Sequence, residues 1–263
     1  MSLCQCALNG VDPTRIGPEV TLTDVREHPP VTVHRIMTPA GREGSRVTAA
    51  RRESLSVSLD FELHEPSPAR RKHLCRALAR WASGGGWLTL GDRPGQRLRV
   101  SCDAPPVIAS ALGWTQPVTV TLTAWDTPCW EGAVPVTVRT AGAAATATLS
   151  LRVPGDRPAP LEAALTNASG QRVSAVTLSC AGQTLRLTGL DMASGETLLL
   201  THDDRALLRL VIRSVGGAER SVLDKRDPTS ADELWLEPRT NCAVTCAADG
   251  VLSAVLSARG RWL

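Results

Sequence analysis

Between Ser54 and Glu65 the chain reads SLSVSLDFELHE, with an apolar residue at every second position. That period gathers the apolar side chains on one face only if the backbone is extended; wound as a helix, the segment would scatter them around the axis. The pattern recurs in VTVHRI (31–36), WLTL (87–90), RLRVSCD (97–103) and PVTVTLTAW (117–125). It continues in VPVTVRT, ATATLSLRV, LEAALTN, AVTLSC, QTLRLTGL, ETLLLTHDDRALLRLVIRS, ELWLEP, NCAVTCAADG and VLSAVLSAR. Turn residues separate these runs. Arg93-Pro94-Gly95-Gln96 has the proline and glycine order of a type II turn, and His202-Asp203-Asp204-Arg205 sits like a hairpin tip between two apolar runs. Half-buried strands joined by short turns, without alternating helices, predict an all-β chain of antiparallel sandwiches.

One segment departs from this period. In PARRKHLCRALARWASGGG, residues Leu74, Cys75, Leu78, Trp81 and Ala82 repeat at helical spacing, predicting a helix over about 68–83. Ser67 is placed to cap it, Pro68 occupies the tolerated first position and Gly84 marks its end. Lys72, Arg76 and Arg80 form a second stripe on another face. The strand pattern pauses at WDTPCWEG (125–132), which predicts two domains, 1–131 and 132–263. The proline-rich VPGDRPAP (153–160) is a competing boundary, but a break there would strand two alternating segments without a sheet.

Charge argues against a duplex DNA binder. Residues 1–131 carry 15 basic and 13 acidic groups and residues 132–263 carry 14 and 13, so neither half has the excess that neutralising many phosphates requires. Base-stacking readers of single strands would also need exposed Tyr or Phe, and the chain has no Tyr and one Phe. The glycines of SGGGWLTL follow a helix and lead into a strand, the reverse of a phosphate loop. MSLCQCALNG lacks the basic and apolar regions of a signal peptide, and no apolar run approaches the roughly 20 residues of a membrane span. The expectation is a chain made in a reducing cytoplasm, without membrane insertion, whose eight cysteines are mostly free and buried.

Candidate chemistry is sparse. Cys4/Cys6 and Cys242/Cys246 are the close cysteine pairs, but neither has knuckle spacing and nothing brings the two ends together to complete a zinc set. The five histidines stand apart from any nucleophile turn, and His202-Asp203-Asp204 in a hairpin tip should be solvated. Asp224/Asp227 and Asp232/Glu233 lie in the polar loop LDKRDPTSADE, where solvation accounts for them. Asn167-Ala168-Ser169 matches a glycosylation acceptor that has no consequence without secretion. Trp235 and Trp262 could stack on sugar rings, although each falls where a strand would bury it. The expectation is a protein with no catalytic residues, no cofactor and no metal.

The order of segments carries more than any one of them. A short strand ending in LNG, the basic VHRIMTPAGREGSRVT, SLSVSLDFEL, a helix running into RWASGGGWLTLGDRPGQRLRV and then PVTVTLTAWDTPCWEG resembles the N-terminal domain of distal tail proteins of long-tailed, non-contractile phages. ETLLLTHDDRALL followed by SADELWLEPRTNCAVTCAADGVLSAVLSARGRW is similar to that family's second domain. The resemblance implies a structural virion protein, assembled in the host cytoplasm, with a ring-forming β-sandwich bearing one helix and a galectin-like or carbohydrate-module-like second sandwich. It further implies a homo-oligomer, a hexameric ring at the tail tip or baseplate, stacked between the tail-tube protein and the hub or fibre protein. Genomic DNA would pass through the lumen without specific binding. The loop around Arg42 and Glu43, the helix stripe Lys72, Arg76 and Arg80, and the turn with Asp92 and Arg93 would lie in the ring-forming domain as candidate subunit contacts. Readings from other classes are a carbohydrate-binding module, a receptor-binding tail protein and a nucleic-acid binder. A sandwich that resembles a lectin is no evidence of sugar binding.

Overall fold

The computed structural model describes residues 5–38, 43, 45–106, 114–203 and 207–263. The chain divides into two compact units, Met1–Trp130 with Leu263, and Glu131–Trp262. Both are built of antiparallel β-sheet, and one α-helix stands among the described residues.

The first unit contains β1 (Cys6–Leu8), β2 (Val20–His28), β3 (Thr32–Met37), β4 (Arg46–Arg52), β5 (Leu55–His64), α1 (Pro68–Ser83), β6 (Gly86–Leu90), β7 (Gln96–Val100) and β8 (Thr115–Ala124). Strand β5 lies between β2 and β8, pairing Leu55 with Ala124 at one end and His64 with Thr115 at the other. Its odd-numbered residues Leu55, Val57, Leu59, Phe61 and Leu63 are fully buried, as the alternation predicts. Val118, Val120, Leu122 and Ala124 of β8 are buried beside them. Removing each such Leu, Val or Phe from water contributes about 1.5–3 kcal/mol, which fixes the register, since a one-residue slip would turn the whole set outward.

Helix α1 packs Leu74, Cys75, Leu78 and Ala82 into this core, against β5 and β8. Trp81 meets Phe61 edge to face at 6.0 Å, and its indole N–H donates to the Val11 carbonyl at 2.9 Å. The N-terminus differs in detail from the sequence expectation. Ser67 is the N-cap residue but makes no side-chain cap bond; its own amide donates to Glu65 Oε1 at 2.9 Å. Arg71, in the first turn of the helix, is 3% exposed and donates through Nη1 to the carbonyls of Glu65 (2.6 Å) and Pro66 (3.2 Å). It ties the helix start to the preceding turn.

At the other end Gly84 is a right-handed cap, and the left-handed conformations fall on Gly85 (φ +56°) and Gly86 (φ +126°). A Cβ on Gly86 would lie 2.0 Å from Asn9 Oδ1, because the Asn9 side chain clamps this corner: it donates to Gly85 O (2.8 Å) and accepts from Trp87 N–H (2.9 Å). The glycine run thus lets the chain reverse from α1 into β6, which pairs with β1 and β7. The β6–β7 turn has Gly95 at φ +76° and Gln96 N–H donating to Arg93 O at 3.2 Å, as the Pro-Gly order predicts.

Strands β3 and β4 form a separate two-stranded hairpin. Every residue of β4 is exposed, and in β3 only Val33 is half-buried. The alternation in VTVHRI therefore predicts the strand correctly but not its surroundings: neither face is covered by the rest of the chain.

The second unit follows β9 (Trp130–Gly132), which spans the junction. It contains β10 (Val136–Arg139), β11 (Ala144–Arg152), β12 (Ala159–Pro160), β13 (Glu162–Asn167), β14 (Val173–Cys180), β15 (Gln183–Met192), β16 (Thr197–His202), β17 (Leu208–Arg213), β18 (Glu219–Ser221), β19 (Trp235–Leu236), β20 (Asn241–Ala258) and β21 (Arg261–Trp262). The 18-residue β20 organises it. Its first half pairs with β11 and β14, its second half with β10 and β13, so one strand is shared by two blocks of sheet. Residues of both blocks, among them Leu151, Leu165, Leu178, Leu198, Val244 and Leu256, join one buried cluster.

Candidate functional site

The sequence-predicted site residues fall in three places. Arg42 lies outside the described residues, and Glu43 is exposed in the link between β3 and β4. Lys72, Arg76 and Arg80 are exposed along α1, with Arg80 Nε donating to Arg76 O at 3.4 Å. Asp92 is exposed at the β6–β7 turn, whereas Arg93 is engaged within the chain: Nε and Nη2 reach Glu27 at 2.9 and 3.0 Å, and the guanidinium lies 5.1 Å from the Trp130 ring centroid. Trp130 is fully buried and its indole N–H donates to the same Glu27 carboxylate at 3.3 Å.

The hairpin β3–β4 is what sequence reasoning undervalued. It displays Ile36, Met37 and Val47 at 61%, 52% and 54% exposure, together with Arg35, Arg46, Arg51 and Arg52. An isolated two-stranded hairpin is at best marginally stable in water, so bare apolar residues on one call for a covering surface. A usable signal was present in RVTAARR, whose polar and apolar residues do not alternate: a strand with no core face has no reason to.

The chemistry-bearing motifs of the second unit resolve into structural roles. The side chain of His202 is only 11% exposed, against the expected solvation, and neither ring nitrogen has a hydrogen bond; Nε2 lies 3.8 Å from Glu233 Oε1. Burial first, and then the nearby Arg261, hold its pKa below the ordinary 6.5. Burial raises the pKa of Glu233. Asp203 accepts from Leu207 N–H at 2.9 Å, and Asp204 and Arg205 lie outside the described residues. Asp227 caps Thr229 through N–H (2.8 Å) and Oγ (2.7 Å), while Asp224 and Asp232 pair with Lys225 and Arg226. Asn167 is 1% exposed and bonded on all sides, which removes it as a glycan acceptor.

Cys242 and Cys246 are buried on the core face of β20, where burial pushes the Cys246 thiol up to about 11; Cys4 lies outside the described residues. Trp235 and Trp262 are half-buried, the first with Arg261 at 5.5 Å from its ring, the second against Gly132 and Gly260. The widely exposed tryptophans are instead Trp114 and Trp125, both in the first unit. Trp125 is pinned by bonds from its indole N–H to both Asp103 oxygens at 3.1 Å, and Trp114 stands at the opposite end of β8.

This β-rich chain, with one α-helix among its described residues, is similar in overall fold to solved structures from phage adsorption apparatus. The solved structure of the SPP1 Dit (gp 19.1) protein, described as a paradigm of the hub adsorption apparatus in phages infecting Gram-positive hosts, matches with a TM-score of 0.69 at 14% identity, over 98% of this chain and 99% of that one. A chain of the phage P2 baseplate in its activated conformation with Ca matches at 0.52 and 9% identity, over 98% of each. No protein-family model matches the chain, and no curated protein matches it by sequence. The fold is the one that the resemblance to distal tail proteins implies.

Proposed function

We propose that this chain is a structural protein of a phage tail tip, a distal tail protein that assembles as a cyclic homo-oligomer, a hexameric ring, between the tail tube and the hub or fibre. DNA passes through the lumen of the ring without specific contacts, the second unit is a galectin-like sandwich, and the protein performs no catalysis. The single observation that carries this reading is the bare β3–β4 hairpin, in a chain whose fold is that of a hub protein along its full length. A fold alone does not assign a function, but a projecting hairpin with exposed Ile36, Met37 and Val47 is a feature that assembly accounts for and a solitary monomer does not. The exposed stripe Lys72, Arg76 and Arg80 supplies a further charged face, for a subunit or for the lumen.

Negative-stain imaging and native mass spectrometry of the purified full chain test the proposal. Six-fold rings with a central hole are expected. A chain that stays monomeric at micromolar concentration, and that no tail-tube partner assembles, refutes it.

A further inference from the structure

Strands β14 and β20 each turn a cysteine toward the core of the second unit. In NCAVTC, at the start of β20, alternation buries Cys242, Val244 and Cys246 and leaves Ala243 and Thr245 outside. Val176, Leu178 and Cys180 do the same on β14, and all six join one buried cluster. The register pairs Cys180 with Val244, so Cys242, two residues nearer the start of β20, is the diagonal neighbour of Cys180 on the same face. Both are shut off from solvent, Cys180 at 2% exposure and Cys242 at 7%.

The two thiols meet. That of Cys180 is hydrogen-bonded to Cys242, and Cys242 Sγ donates to the Glu237 carbonyl at 3.7 Å. A buried cysteine can serve simply as a small apolar filler, a role that needs no second sulfur. Both residues also lie at strand ends. Strand β14 stops at Cys180 and turns through Ala181 (φ +49°) and Gly182 (φ +79°) into β15, and β20 starts at Asn241, just after Arg239 at φ +59°. Diagonal neighbours start about 7–8 Å apart at Cα, slightly beyond the roughly 4.4–6.8 Å that a disulfide spans. Strand ends beside turns yield such a shift more readily than the middle of a ladder, and their fraying admits small molecules.

We infer that Cys180 and Cys242 are a redox-sensitive pair, free thiols in the chain as it folds and a disulfide once it meets a small-molecule disulfide. One protein thiol, as its thiolate, attacks the small disulfide and displaces a first small thiol; the other protein thiol then displaces a second, closing the S–S bond. The two protein sulfurs are oxidised by two electrons in all, and the small disulfide leaves as two thiols carrying the two protons. The bond ties the tip of the β14–β15 hairpin to the start of β20 and so locks the second unit. The timing of closure, though not its chemistry, rests on the tail-tip reading: thiols free during assembly in a reducing cytoplasm would close on the released particle.

The test compares the full chain, purified under reducing conditions, in dithiothreitol and after exchange into oxidised glutathione. Mass mapping of a non-reducing digest should find the Cys180 and Cys242 peptides joined in the oxidised sample. Its melting temperature by circular dichroism should rise on the order of 10 °C, and dithiothreitol should reverse the rise. C180S and C242S, each compared with itself under the two conditions, should lose the joined peptide and the shift; C102S should keep both. Glutathione adducts in place of the joined peptide, a link to another cysteine, or an oxidised chain that melts with the reduced one overturns the pair. Native mass spectrometry of the same samples reads the ring separately: a linked chain that forms no ring sinks the tail-tip reading and leaves the pair standing.

Discussion

Replacing Asn167 by Ala should destabilise the second unit by about 3 kcal/mol, and the reason can be counted atom by atom. The amide group donates to Gln171 O at 2.8 Å and Met192 O at 2.9 Å, while Oδ1 accepts from Ser169 N–H at 2.9 Å and Ser169 Oγ at 2.6 Å. Truncation leaves the buried Met192 carbonyl without its side-chain donor, at about 2 kcal/mol, and the more accessible Gln171 and Ser169 groups short of a partner at about 0.5 kcal/mol each. The Asn167→Asp variant sharpens the test. Its shape and its bonds to Ser169 are retained, but at neutral pH a carboxylate oxygen replaces the donor facing two carbonyls. The carboxyl is then held above its unfolded value of about 3.9, so stability returns as pH falls through the raised folded value. Urea unfolding read by hydrogen exchange in the peptides covering residues 163–195 measures both variants. An Asn167→Ala chain within 0.5 kcal/mol of wild type, or an Asn167→Asp chain no more stable at pH 4 than at pH 7 relative to wild type, would refute the assignment of Asn167 as the brace between β13 and β15.

Two further outcomes follow from the titrating groups. His202 is buried with its pKa below 6.5, so the unfolded chain binds the proton first and the second unit loses stability as pH falls from about 6.5 through the folded value. The raised pKa of Glu233 works in the opposite sense at lower pH. H202F should flatten the upper part of this slope in denaturant titrations at pH 5.5 and 7.5, and an unchanged slope counts against the burial argument. Among Cys75, Cys102, Cys180, Cys242 and Cys246, alkylation of the native chain at pH 7.5 should mark Cys102 first, since it alone of these is not buried; mass mapping that finds Cys246 labelled as fast would contradict its thiol value of about 11.

Much of the fold is legible in the chain because its signals are local. The alternation in SLSVSLDFELHE gives β5, and the helical spacing of Leu74, Cys75, Leu78 and Ala82 gives the buried face of α1. The Pro94-Gly95 pair gives the turn after β6. What the sequence conceals is set by distant partners. Arg93 does not announce that Glu27, on β2, and Trp130 will hold it. His202 reads as a solvated tip residue because the Glu233 segment that covers it is distant in sequence. Arg71 is a different case: its acceptors, Glu65 O and Pro66 O, are near in sequence, but they are backbone carbonyls, which carry no residue-type signal that would tell it from the exposed Lys72 and Arg76.

The same reasoning explains why the hairpin matters more than the arginine-rich helix. The start of α1 is internally balanced: Arg70 is paired with Glu19 and Glu65, and Arg71 is buried and bonded. The apolar side of α1 lies in the core. What remains exposed there is charge, which water already solvates well and which yields little on contact. The hairpin is the reverse case. Ile36, Met37 and Val47 are apolar groups in water, each worth on the order of 1 kcal/mol or more if covered, and among the described residues no third strand pairs with either edge of the hairpin. Every residue of β4 and all of β3 but Val33 stand exposed, so a covering surface would remove apolar area from water here. The β2–β5–β8 sheet does not take up the hairpin; in the ring proposed above, a second copy would cover it.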